Sequence, residues 1–111
     1  MRMVFLDAGL LRDRLDLERP EETPDGQGGS TRIFMPVTGL WGCVEPVTVR
    51  NDEMAGAMET TVTHRITLRY RDDIRTGMRL RRRGRAFEIE SWLDPDETRR
   101  FLRCFCREVA P

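Results

Sequence analysis

Apolar and polar residues alternate with a period of two along most of this chain, the spacing that turns one face of a strand towards a core and the other towards solvent. Leu15 and Leu17 alternate with Arg14, Asp16 and Glu18, and Pro20 closes the run, which predicts a first strand ending there. Residues 21–30, with Pro24 and the run Asp25-Gly26-Gln27-Gly28-Gly29, read as a turn-rich loop. A second strand is predicted over about residues 38–44, ended by Pro46, with Gly39 and Gly42 marking a bulge or a close backbone approach. Residues 61–70 alternate most clearly. Val62, His64, Ile66, Leu68 and Tyr70 share one face; Thr61, Thr63, Arg65, Thr67 and Arg69 share the other. Residues 78–82 and 86–93 predict a hairpin through Arg83-Gly84, with Phe87, Ile89 and Leu93 on its inner face. In residues 98–109, Leu102, Cys104 and Cys106 alternate while Phe101 and Phe105 fit a helical turn; a strand is the reading, because the β-rich neighbours need a closing partner.

These runs predict an all-β fold: a small barrel or sandwich of about six antiparallel strands, in a single domain over residues 1–111. The expected core is Leu15, Leu17, Val44, Ile66, Leu68, Phe87, Ile89 and Leu102. One segment, residues 47–59, follows neither period. It is too long for a tight turn and centres on Met54-Ala55-Gly56-Ala57-Met58. It forms either a long inserted loop, the kind that is usually functional or disordered, or a short helix begun by Asp52 and Glu53.

Charge changes the picture through its distribution. The formal net charge is zero, yet residues 1–63 hold six arginines against eleven acids, and residues 64–111 hold thirteen against eight. Every basic residue is arginine. Coding bias in a GC-rich genome explains that plainly; pairing of arginine forks with carboxylates of neighbouring subunits is the functional reading. An acidic half and a basic half suit head-to-tail contacts. No apolar run approaches the ~20 residues of a membrane span, and the patch at residues 3–6 is too short for a signal core, so a cytoplasmic location and no membrane partner are expected.

The search for chemistry finds little. Cys43, Cys104 and Cys106 are an odd count, which argues against a disulfide framework. With His64 they would make four zinc ligands, but without paired C-x₂-C spacing; buried free thiols are the better reading, and no metal or cofactor is expected. His64 lies on the apolar face of its strand, where a structural histidine is expected. No nucleophile elbow, phosphate loop or zinc-protease motif occurs, so the chain reads as no enzyme. Arg79, Arg81, Arg82, Arg83 and Arg85 form a basic hairpin that is a candidate contact for another subunit or for DNA phosphate.

Several phrases, in order, resemble the head–tail joining proteins of long-tailed phages, also called head-completion or stopper proteins. Leu11-Arg12-Asp13-Arg14-Leu15 leads to Leu17-Glu18-Arg19-Pro20. The Gly28-Gly29 loop follows, then Leu40-Trp41-Gly42-Cys43-Val44-Glu45-Pro46. Next comes Val62-Thr63-His64-Arg65-Ile66-Thr67-Leu68-Arg69-Tyr70. Gly77-Met78-Arg79, Arg83-Gly84-Arg85, Phe87-Glu88-Ile89, Leu93-Asp94-Pro95-Asp96-Glu97 and Cys106-Arg107-Glu108 close the match, over about residues 10–109. Gly42 departs from it where alanine would be usual.

The resemblance implies a structural protein of the particle neck, in a phage, a prophage or a gene transfer agent, assembled in the host cytoplasm. It implies a homo-oligomeric ring of six or twelve copies beneath the portal and adaptor that seals packaged double-stranded DNA, binding it non-specifically, and docks the tail terminator or tube. The loop after Val-Glu-Pro would be the gate, about residues 47–60, with Asn51, Asp52, Glu53, Met54, Ala55, Gly56, Ala57 and Met58 facing the channel. Another neck component such as a tail terminator, or a small nucleic-acid-binding barrel, is the alternative.

Overall fold

Leucines and isoleucines at every second position, among β-branched and charged neighbours, can be buried only by a sheet that curls onto its own apolar face. The computed structural model, which describes residues 8–47 and 61–111, shows that arrangement. A turn of 3-10 helix, Ala8–Leu10, precedes six strands: β1 Asp13–Pro24, β2 Ser30–Pro46, β3 His64–Arg69, β4 Arg79–Arg82, β5 Arg85–Leu93 and β6 Phe101–Val109. They close as a barrel in the order β1-β2-β3-β6-β5-β4, every pair antiparallel. Of the two all-β forms expected from the pattern, barrel or sandwich, the barrel is what forms.

The barrel is filled by Leu15, Leu17, Ile66, Leu68, Leu80, Phe87, Ile89, Leu102, Cys104 and Cys106, all essentially inaccessible to water. Burying each large aliphatic or aromatic side chain contributes roughly 1.5–3 kcal/mol. Seven of the eight expected core residues are fully buried; Val44 is half-buried and packs against the cluster. Ile74 and Met78 join the core from the connection before β4. The expected inward Leu93 instead lies 44% exposed. The cause is a bulge: Ile89 pairs with Cys106 and Ser91 with Phe105, which leaves Glu90 without a partner and flips the alternation. Trp92 then packs against the core and Leu93 faces out.

The first hairpin also departs from the pattern. β1 and β2 run on together past the barrel to Pro24 and Ser30, so Pro20 does not end a strand and residues 21–30 are not one loop. Asp25 N donates to Gly29 O at 3.1 Å, which makes their facing pair a hydrogen-bonded one. Counting outwards, Pro24 opposite Ser30, Pro20 opposite Phe34 and Pro36 opposite Glu18 all occupy the alternate, non-hydrogen-bonded pairs. There an N–H would point away from the partner strand, and no third strand lies on either side. β4 pairs β1 only at Asp16, Leu17 and Glu18, and β3 pairs β2 only from Gly42 to Pro46. Proline's missing donor is therefore harmless. The turn itself is held by Asp25, whose carboxylate accepts from the Gln27 and Gly29 amides at 2.8 and 3.1 Å, with Gly26 and Gly28 at positive φ.

Candidate functional site

β2 and β3 leave the two roots of residues 48–60 side by side at one end of the barrel. Val47 N donates to Thr63 O at 2.9 Å, and Thr63 N to Cys106 O at 2.9 Å, so the first root is tied to the second and the second to β6. The Thr63 hydroxyl accepts from the Glu108 amide at 2.8 Å. The Thr61 hydroxyl donates to the carboxylate of Glu90, the bulge residue, which also pairs with Arg107 at 3.4 Å. The bulge thus aims a carboxylate at the second root instead of along the ladder.

Beside this root, Arg85 grips Glu108 with two bonds of 2.9 and 3.0 Å, the bidentate geometry of a guanidinium on a carboxylate. That bond holds the Glu108 carboxyl below its usual range. His64 stands against the pair: Nδ1 is 2.9 Å from the Thr63 hydroxyl, Nε2 is 3.4 Å from Arg85, and its ring meets Phe87 edge-on at 4.9 Å. Burial lowers the His64 pKa first, Glu108 opposes that, and Arg85 adds to it. The expected structural histidine is thus one wall of the loop root.

Of the basic hairpin, Arg85 belongs to this root. Arg82 pairs with Asp13 at 2.9 Å, Arg81 with Glu18 at 3.5 Å, and Arg79 lies 3.9 Å above the Phe34 ring. Arg83 sits at the turn with φ 54°. The five are therefore divided between the two ends of the barrel rather than gathered into one patch. Residues 51–58, the expected gate, lie outside the described residues. Cys104 and Cys106 face the core and Cys43 the outer side of β2, all as free thiols. Among the described residues no cluster of three or more His, Cys, Asp or Glu is placed to hold a metal ion, and no helix is long and apolar enough to cross a membrane. Sequence reasoning missed Thr61, Glu90 and Arg107. Only the bulge brings these three together, and Ile89-Glu90-Ser91-Trp92 reads in sequence as unbroken alternation.

Comparison with known proteins agrees with this geometry. No curated protein matches the sequence significantly. A Shigella flexneri 2a protein whose structure was determined in solution has the same fold, with a TM-score of 0.73 and 31% identity over 95% of this chain and 98% of its own. A chain from the virion of a native gene transfer agent particle superimposes with a TM-score of 0.67 at 23% identity, over 91% of this chain and 97% of that one. The sequence model of the phage head completion proteins matches residues 6–109, all six strands and the connection between β2 and β3 included, and the chain belongs to that family.

Proposed function

We propose that this head completion protein is a ring-forming stopper of the particle neck: a connector that seals packaged DNA in the head and presents the surface on which the tail docks. One observation carries the reading. Residues 48–60 depart from, and return to, two hydrogen-bonded roots at a single end of a closed barrel. A rigid barrel with one long segment anchored in this way suits a ring subunit whose segment reaches a central channel. Gly56 would remove side-chain restraint from that segment, and Met54 and Met58 are residue types adaptable enough to pack against their copies around an axis. Arg83 and Arg85, at the same end of the barrel, suit non-specific contact with DNA phosphate. The neighbour in a gene transfer agent virion makes a particle context natural. The proposed partners are further copies of the chain, six or alternatively twelve, the portal–adaptor platform above and the tail terminator or tube below. The protein is made in the host cytoplasm and ends in the neck.

Deleting residues 51–58 tests the reading. The barrel should remain folded by circular dichroism, because the roots lie outside the deletion. Heads carrying the deletion should leak DNA or fail to join tails. Heads that retain DNA and transfer it normally, or an electron-microscopy map with the segment on the outer wall, would overturn the gating role.

A further inference from the structure

The barrel end opposite the loop root carries two features that the gating role does not use. The first is the inner side of the β1–β2 ribbon. Ile33 and Met35, opposite Glu21 and Arg19, continue the face that the barrel turns inwards at Leu17, but beyond the barrel's end, where they are 44% and 36% exposed. Large apolar side chains at alternate positions of a solvated ribbon mark a contact surface. The second is a notch at the ribbon's base. Past the Gly42–Leu68 pair, β2 leaves β3, and Leu40, Trp41, Leu68 and Tyr70 line a cavity of about 250 Å³ flanked by Arg69 and Arg71. Trp41 on its rim is 52% exposed. That volume lies below the ~300–1,000 Å³ of small-molecule sites and suits inserted side chains.

We propose that the Ile33–Met35 face of one copy's ribbon docks into the Leu40–Trp41–Tyr70 notch of a second copy. The inference rests on the ring reading and names the surfaces that would build it. The ribbon cannot fill its own notch: it is paired residue by residue out to Pro24 and Ser30, and Ile33 stands seven residues, ~23 Å of strand, from Leu40. The occupant must come from another molecule.

Charge points to a second copy of this chain. Residues 18–36 carry four acids and two arginines, with Glu21 beside Ile33, whereas Arg14 and Arg69 border the notch and Arg71, beside them, is held by Asp73 at 2.7 and 2.9 Å. An acidic arm with apolar side chains, fitted to a basic-rimmed apolar notch, is what each copy offers the next. The surfaces differ, so the contact is heterologous and repeats around a ring. It also works through side chains: Pro20 and Pro24 remove two outward donors from the β1 edge of the ribbon, and Pro36 one from the β2 edge, which disfavours strand addition.

The test combines association, proximity and particles. In sedimentation up to millimolar concentration the wild-type chain should self-associate. Ile33→Glu with Met35→Glu, both outside the core, should weaken that roughly 100-fold with an unchanged circular dichroism spectrum. In a Cys43→Ser background, an oxidised mixture of Met35→Cys and Tyr70→Cys chains should give the mixed disulfide dimer. A wild-type chain that stays monomeric, a Glu variant that associates normally, or an absent mixed dimer would overturn the docking. Particles separate the two proposals. A neck ring that persists with the Glu variant refutes the docking and keeps the ring, whereas wild-type necks without a ring refute the ring reading.

Discussion

Trp92 and Leu93 are adjacent, similarly hydrophobic and oppositely placed, because the bulge at Glu90 reverses the phase of β5 just before them. Replacing Trp92 with Ala removes a large side chain packed on the core and should cost about 2–3 kcal/mol in a urea melt, below the ~3–5 kcal/mol of a fully buried Trp or Phe. Leu93→Ala should stay within about 0.5 kcal/mol. Equal effects would mean that the bulge is misplaced. The thiols give a second prediction at this scale. Burial pushes the Cys104 pKa up to about 12, and burial, then Cys104 and Glu90, raises that of Cys106. The unfolded chain gives up these protons first. The stability that the buried thiols contribute is therefore complete below the ordinary thiol range and is lost as pH rises from about 9 towards 12. Melting temperatures measured across that window should fall, and Cys104→Ala with Cys106→Ala should flatten the slope. In the folded protein neither thiol should react with a thiol reagent at pH 8.

Strands depend on their seams. Asp13 joins three of them: its carboxylate accepts from the Val44 amide at 2.9 Å and pairs with Arg82 at 2.9 Å, linking β1, β2 and β4 where the barrel closes. Asp13→Ala leaves both partners unanswered and should cost about 1–3 kcal/mol, readable as a lower urea midpoint. Asp16→Ala, on the exposed face of the same strand, is the control and should be nearly neutral. The ribbon behaves differently, since its side chains add nothing to the core cluster. Cutting residues 21–32 and rejoining Pro20 to Ile33 by a short turn should leave the melting temperature within a few degrees. Most strands are legible from alternation because their burial is one-sided: residues 61–70, 86–89 and 102–106 have no other way to hide Ile66, Leu68, Phe87, Ile89 and Leu102. What escaped is what side-chain pattern does not encode. Pro20 reads as a strand end unless the absence of a third strand is known, and Glu90 reads as an ordinary polar position unless the β5–β6 register is known. The loop root was half legible: His64 shows in the pattern, but its neighbours Arg85 and Glu108 come from strands distant in sequence.

At the scale of the molecule, β2 and β3 each run the length of the barrel between two unlike ends. One end holds the loop root with Thr63, His64 and Arg85; the other holds the ribbon and the notch. The proposed ring subunit needs this polarity, one end for the channel and one for its neighbours; the chain itself belongs to the phage head completion proteins. The closure of the barrel has a kinetic consequence. β1 meets β4 through only three residues on each strand, with Leu17 facing Leu80 across most of the chain, while β1–β2, β4–β5 and β5–β6 are joined by short turns. Local hairpins form in microseconds, but the loop entropy of bringing residue 17 to residue 80 is lost before any contact there is gained. Refolding should therefore proceed in milliseconds to seconds, as for other non-local β topologies, with the β1–β4 seam joining last. Leu80→Ala, on the late seam, should mainly accelerate unfolding, whereas Ile89→Ala, in the early hairpin, should slow refolding. A chain that refolds in microseconds, or a Leu80 variant that slows refolding as much as the Ile89 variant, would reverse that order. The seam that closes last is also the shortest of the barrel's six, with three paired positions against four for β4–β5 and more elsewhere, so fewest ladder bonds hold it once it has formed.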